Sequence, residues 1–219
     1  MHSQAIQDYV KTIYALGGEH ESVATNDLAD ALRVAPASVT GMIRRLQGLK
    51  LVTHEPYRGV RLTETGRLLG VEMIRHHRLL ELFLHKMLGM PLEQVHDEAE
   101  RLEHVISEEF EARIDALLGY PQHDPHGSPI PNAALEVVHL THIPLHTCSV
   151  DMHGVVLEVE DRDPALVREL AALGILPDAR FRVIECTSRG MALELNGTAP
   201  AIWLSEALVR CIYVKTDRA

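Results

Sequence analysis

NDLADALRVAPASVTGMIRRLQGLK (26–50), followed by LVTHEPYRGVRLT (51–63), is the stretch from which the fold is read. Asp27 stands in the first turn of a short apolar-periodic segment that Thr25 can cap. A hydroxyl there satisfies a free backbone N–H, and an acid meets the positive end of the helix. A tight break falls at Val34–Ala35. Pro36 then suits a first helical position, where a missing N–H costs nothing. In the segment it opens, Val39, Met42, Ile43, Leu46 and Leu49 recur at helical spacing and form the expected buried face. Short helix, tight turn and second helix make a helix-turn-helix. Leu51–Val52 and Val60–Leu62 read as two strands around EPYRG, a hairpin wing.

Working outward, AIQDYVKTIYAL (5–16) places Ile6, Val10, Ile13, Tyr14 and Leu16 near a helical period, and Gly17–Gly18 ends it. Downstream, Thr63 can cap a long helix from Glu64 to about Met90. Pro91 starts another, expected to run unbroken to about Leu118 on the stripe Leu92, Val95, Ala99, Leu102, Ile106, Phe110 and Leu117. Two long helices carry more apolar surface than a small head covers, and a symmetric homodimer buries the excess. Residues 119–149 are rich in Pro and His; HDPHG (123–127) reads first as a packed connector, with a metal tract as its alternative. The period then changes to two. VVLEV, FRVI, MALEL and VRCIYV read as strands, with turns at SRG and LNGT and the helix DPALVRELAAL between the first two. They suggest a small SH3-like barrel. The fold class is α+β, with a winged helix-turn-helix at 1–72, a helical domain at 73–144 and the barrel at 145–219.

The 219-residue chain carries a formal charge of −10, unevenly spread. Residues 33–67 hold seven basic and two acidic side chains, whereas residues 73–135 hold five basic and eleven acidic ones. A local basic patch binds phosphates even on an acidic molecule, and the acidic middle suits cations. Cys148, Cys186 and Cys211 are odd in number and form no CxxC pair, which argues against a disulfide framework or a thiolate zinc site and suits a reducing cytoplasm. No apolar run reaches spanning length, so no membrane association is expected.

RHHRLLELFLHKMLG (75–89) and LEQVHDEAERLEHVISEEFEARI (92–114) carry the chemistry. Residues four apart share a helix face, which sets His77 over Glu81 and aligns His96, Glu100, Glu103 and His104 along one stripe. Imidazoles and carboxylates converging between helices make a divalent-metal site. A solvated acidic face is the alternative that spacing leaves open.

The winged head, HHRLLE (76–81), HDEAERLEH (96–104), HGSPIP (126–131) and DPALVRELAALGILPDARFRV (163–183) together resemble the metal-dependent repressors of the diphtheria-toxin-repressor and manganese-transport-regulator family. The barrel also resembles the iron-transport accessory SH3-like fold. The resemblance implies two metal sites per subunit. The primary one would use Asp8, Glu100, Glu103 and His104. The ancillary one would use His77, Glu81 and His96, completed by the barrel acids Glu158 and Asp161. Iron-responsive members offer Met and Cys where this chain has Asp8 and Glu100, and hard oxygen ligands suit Mn²⁺. Two-domain manganese regulators carry an acid where this chain has Lys11, so a binuclear pair built on that acid is not expected.

The resulting expectation is a cytoplasmic, homodimeric, Mn²⁺-activated regulator of metal-homeostasis genes, a repressor by family likeness, with Fe²⁺ as the alternative metal. Its partner is double-stranded operator DNA, met by Ser38, Thr40, Arg44 and Arg45 and by Tyr57, Arg58 and Arg61 of the wing. A metallohydrolase is the remote alternative. It needs a general base and an open coordination position, and neither an HExxH motif nor a nucleophile elbow occurs in the sequence.

Overall fold

The computed structural model describes residues 3–55, 58–138 and 141–217. These divide into two compact units. The first comprises Met1–His77, Glu103–Ile106 and Pro131–Val137; the second comprises Arg78–Leu102, Ser107–Ile130 and Val138–Ala219.

In the first unit, α1 (Gln4–Ala15), α2 (Thr25–Leu32) and α3 (Pro36–Gly48) are followed by the antiparallel hairpin β1 (Val52–Glu55) and β2 (Gly59–Leu62). The turn after α2 is closed by Arg33 in the left-handed region (φ 53°), with Val34 N–H donating to the Ala29 carbonyl. Pro36 opens α3 as expected. Thr25 is the first residue of α2 rather than its cap; Ala24 stands before it and gives no side-chain hydrogen bond. Val39, Ile43 and Leu46 are buried with Ile6, Val10, Ile13, Leu28 and Val60 in one core. Leu49 is 43% exposed, because it lies at the C-cap of α3, where the apolar face runs out. Val23 bridges Val60 and adds a third extended segment to the wing. Gly59 (φ +106°) admits that approach, since a Cβ there would stand 2.4 Å from the Val23 carbonyl oxygen.

Thr63 Oγ1 accepts from Gly66 N–H and caps α4 (Glu64–Leu88), which belongs to the first unit as far as His77. The next expected helix is two helices. α5 (Leu92–Leu102) ends in a turn at residues 103–105, and α6 (Glu108–Leu117) begins afresh. Ser107 Oγ accepts from Phe110 N–H, and Glu108, Glu109 and Glu111 crowd the first turn of α6. That is a helix start embedded in an otherwise continuous apolar stripe.

In the second unit, β3 (Ile143–Pro144), β4 (His153–Val159), α7 (Pro164–Ala172), β5 (Arg180–Thr187), β6 (Gly190–Leu195), β7 (Thr198–Ser205), α8 (Glu206–Arg210) and β8 (Ile212–Thr216) follow α6. The sheet runs β3-β8-β4-β5-β6-β7, with antiparallel pairing between neighbours, around a core of Val156, Leu170, Phe181, Val183, Leu193, Leu204 and Val214. β7 carries Pro200 and escapes a propensity reading. Its place at the sheet edge tolerates a residue with no ladder donor. α8 begins at a Ser205 cap and takes the residues that resembled the start of the last strand.

The connector 119–130 is packed, not loose. Its Gly127 (φ +95°) lies so close to β4 that a Cβ would stand 1.9 Å from the Leu157 carbonyl oxygen, and Val159 N–H donates to the carbonyl of His126. Gly127→Ala therefore combines backbone strain with a clash against main chain. It should cost about 2 kcal/mol or more, read as a lower urea midpoint for the metal-free protein; an unchanged midpoint would refute this docking.

Candidate metal centres and nucleic-acid face

The first centre lies in the first unit. Gln7, Asp8 and Lys11 come from neighbouring positions on α1, and Glu103 and His104 from the turn after α5. Donor atoms of Asp8, Glu103 and His104 all lie within 4.8 Å of one another. His104 Nε2 is 2.9 Å from Asp8 Oδ1 and 3.7 Å from Glu103 Oε1. Its Nδ1 lies 3.1 Å from Gln7 Oε1, an acceptor that suits an N–H at Nδ1, and its Nε2 is the ring nitrogen that faces the carboxylates. Glu103 is buried and densely engaged. Lys11 Nζ donates to both its oxygens at 2.9 and 2.7 Å, and His77 Nδ1 lies 2.6 Å from Oε2. The Glu103 carbonyl lies 3.1 Å from His76 Nδ1. Glu100 sits on α5, one turn before Glu103.

The second centre lies in the second unit. Glu81 from α4, His96 from α5 and Asp161 after β4 bring donor atoms within 4.8 Å, and Glu81 does the same with Asp124 and His126 of the connector. His96 Nδ1 is 3.2 Å from Glu81 Oε1 and 3.5 Å from Asp161 Oδ2. Asp124 Oδ1 accepts from the backbone of His126 and Ser128 at 2.8 and 2.9 Å, which fixes the connector turn. Its Oδ2 has no hydrogen-bond partner among the described residues, with Arg78 Nε 3.7 Å away. His126 is fully buried; neither ring nitrogen has a hydrogen-bond partner among the described residues, and Glu81 Oε2 stands 3.8 Å from Nδ1. Buried orphan atoms of this kind are costly unless something satisfies them. Two imidazoles and three carboxylates around such orphans suit a divalent cation.

Of the residues expected from sequence, Asp8, Glu103 and His104 are brought together, as are Glu81, His96 and Asp161. His77 contacts Glu103, a member of the primary set. Glu158 accepts from Ser128 Oγ at 2.6 Å and joins no donor group among the described residues. Asp124 and His126 belong to HDPHG, for which the metal tract is the alternative to a packed connector, and neither is among the expected site residues.

Ser38, Thr40, Arg44 and Arg45 are exposed on α3, free of the core formed by Val39, Ile43 and Leu46. Arg58 pairs with Glu55 at the surface, at 3.1 Å. Arg61 donates to the Glu19 carbonyl at 3.2 and 3.4 Å, which holds the wing to the loop after α1. Tyr57 lies outside the described residues.

Comparison with known proteins agrees with this architecture. Residues 1–60 match the model of the iron dependent repressor N-terminal DNA binding domain, residues 63–132 that of the iron dependent repressor metal binding and dimerisation domain, and residues 143–216 the FeoA domain. The iron-dependent repressor IdeR of Mycobacterium tuberculosis is 30% identical over 201 residues, covering 86% of this chain and 87% of that protein. The chain belongs to the diphtheria-toxin-repressor and manganese-transport-regulator family. Another family relative, the HTH-type transcriptional regulator MntR of Bacillus subtilis, is 35% identical over 124 residues, covering 57% of this chain and 87% of its own length. A solved manganese-dependent transcriptional repressor in complex with manganese superposes with a TM-score of 0.88 at 37% identity, covering 96% of this chain and 99% of its own.

The surroundings of the second centre shift the titration of its own groups. Burial opposes charge on His96, but hydrogen bonds to Asp161 and Glu81 prevail and raise its pKa to about 10. Burial, then the Glu81 carboxylate, pushes Asp124 up to about 8. His126 is also raised: burial opposes this and Glu81 overcomes it. The metal-free native protein thus holds protons that the unfolded chain has released. These are on His96 between 6.5 and about 10, and on Asp124 between 3.8 and about 8. Stability falls as pH rises wherever the native state binds more protons. The His96 contribution is fully present below pH 6.5 and is lost towards 10, while the penalty for ionising Asp124 grows up to about pH 8. In chelator, the thermal midpoint should therefore fall between pH 6.5 and 8; a midpoint that rises over this range would contradict these environments.

Proposed function

We propose that this protein is a Mn²⁺-activated, dimeric, cytoplasmic repressor of metal-homeostasis genes that binds operator DNA without catalytic turnover. The observation that carries the reading is the meeting of Asp8 from the first helix with Glu103 and His104 from the turn after α5. Hard carboxylate oxygens with one imidazole suit Mn²⁺, and no thiolate or thioether among them draws softer ions. Fe²⁺ is the alternative, in keeping with the iron-dependent relatives.

Asp8, Glu103 and His104 hold the primary ion, with Glu100 as the fourth donor that the family resemblance implies. Glu81, His96 and Asp161 hold a second, with His77 as the donor that the family resemblance implies and Asp124 and His126 as further donors; the orphaned imidazole of His126 supports this wider set. When bound, each ion supplies positive charge that links carboxylates from separate segments. At the primary site the protein's own groups do the rest. Gln7 sets the His104 tautomer, and Asp8 transmits the site's geometry to α1, on which the DNA-binding head is built. Occupation then favours the arrangement of two heads that a palindromic operator requires. On the head, Ser38, Thr40, Arg44, Arg45 and Arg58 make the contacts, with Tyr57 kept as a contact expected from the sequence. Arg61 serves chiefly to hold the wing in place. Most of these contacts go to phosphate.

His104→Ala should abolish Mn²⁺-activated operator binding in a mobility-shift titration while leaving the dimer intact by light scattering. His126→Ala should retain activation but remove one component of the calorimetric Mn²⁺ titration. Coupling between the sites is reciprocal, so saturating operator should tighten Mn²⁺ binding by the factor by which Mn²⁺ tightens operator binding. Equal operator affinity in Mn²⁺ and in chelator would sink the reading.

A further inference from the structure

Glu103 already has a cation. Its carboxylate is fully buried, and both oxygens are held by the Lys11 ammonium at 2.9 and 2.7 Å. Lys11 itself is largely enclosed, with 15% of its side chain exposed, and its Nζ lies 3.1 Å from His77 Nδ1. One of the two Glu103 oxygens, Oε1, also lies 3.7 Å from His104 Nε2, and that nitrogen lies 2.9 Å from Asp8 Oδ1. The oxygen that a divalent ion would share with Asp8 and His104 is therefore one that Lys11 holds.

We propose that Lys11 is a tethered competitor cation: it neutralises Glu103 in the metal-free protein, yields one carboxylate oxygen to an arriving divalent ion, and so sets the metal concentration at which the primary site fills. This rests on the assignment of Asp8, Glu103 and His104 to that site. Three features of the geometry support the role. A buried carboxylate without a counter-charge is unstable, so the metal-free state needs a cation at this point. An ammonium is a compact point charge on a flexible stem, able to slide from both oxygens to one without leaving the pocket. Two cations sharing one carboxylate in a water-poor setting repel each other, so the ammonium weakens the ion's hold even after it has moved. Lys11 is therefore a threshold-setting residue rather than a ligand. It also leaves one carboxylate oxygen of Glu103 to a divalent ion, because the ammonium keeps the other.

The roles of filler and competitor separate on substitution. A residue that merely supports the fold would weaken metal binding when it is removed. A competitor would strengthen it, since Lys11→Met removes the repulsion and leaves Glu103 in need of the ion. The test is calorimetric titration of Mn²⁺ into the full-length dimer, comparing wild type with Lys11→Met, Lys11→Arg and His104→Ala. The component lost in His104→Ala is the primary site. In Lys11→Met that component should tighten by about tenfold or more, while the thermal midpoint in chelator falls. In Lys11→Arg, whose guanidinium grips a carboxylate through two parallel bonds, it should be no tighter than wild type. If Lys11→Met leaves the component unchanged or weaker, the competitor role is overturned while the site stands. If Lys11→Met does not fold, a Lys11→Arg protein that binds Mn²⁺ more tightly than wild type overturns it. If His104→Ala removes no component, the site assignment fails, and the role of Lys11 fails with it.

Discussion

Two carboxylates with no access to water, Glu81 and Glu103, are the constraint on which the rest of this structure depends. An unpaired buried carboxylate is costly enough that a fold avoids it or surrounds it with compensation. Here each is surrounded. Glu103 draws Lys11 and His77 within the first unit, and Glu81 draws His96 and His126 within the second. The partners come from segments far apart in sequence, so the two acids act as points to which the chain must return. The turn after α5 and the docked connector are thus parts of the sites, and they explain why the helical middle of the chain cannot be one uninterrupted pair of helices.

The two surroundings differ in completeness. Around Glu103, the protein supplies a full positive charge and nearly every oxygen has a partner. Around Glu81, the ring nitrogens of His126 and one oxygen of Asp124 are left without hydrogen bonds among the described residues, and protons are drawn onto His96 and Asp124 instead. The two acids are thus compensated differently, Glu103 by a lysine ammonium and Glu81 by neighbouring imidazoles.

The head was legible because each local rule agreed with the next. Asp27 in a first turn, Pro36 at a helix start and the Val39–Ile43–Leu46 stripe all describe the same short motif, and the structure keeps them. Apolar periodicity misled where it continued across a helix break. Leu102, Ile106 and Phe110 keep the stripe, yet Ser107 caps a new helix, and only cap chemistry marks the boundary. Of the two barrel acids that the resemblance implied, Asp161 joins a donor group and Glu158 joins none among the described residues. A bulge between Val156 and Glu158 shifts the alternation of β4, so the face of Glu158 cannot be counted from the start of the strand. That shift coincides with Glu158 turning to Ser128 while Asp161, beyond the strand, meets His96. Asp124 and His126 lie on a connector without periodicity. Their convergence depends on Gly127 packing against β4, a contact that no spacing rule announces.

The placement of charge follows from the same economy. The basic excess of residues 33–67 runs from the end of α2 through α3 and the wing to the start of α4, and the acidic excess lies in residues 73–135 beyond it. Phosphate binding needs cations left exposed, whereas ion binding needs acids buried with few competing cations. One surface cannot serve both. Asp8 is the exception that makes the separation useful: an acid on the first helix of the basic head, set against a histidine and a glutamate from beyond α5. Because the head's own core includes Ile6, Tyr9, Val10 and Ile13 from the same helix, a change in how Asp8 is held bears on the packing that supports α3. The acid thus sits on the helix whose apolar face packs in the core of the head, beside a histidine that follows α5 in the chain.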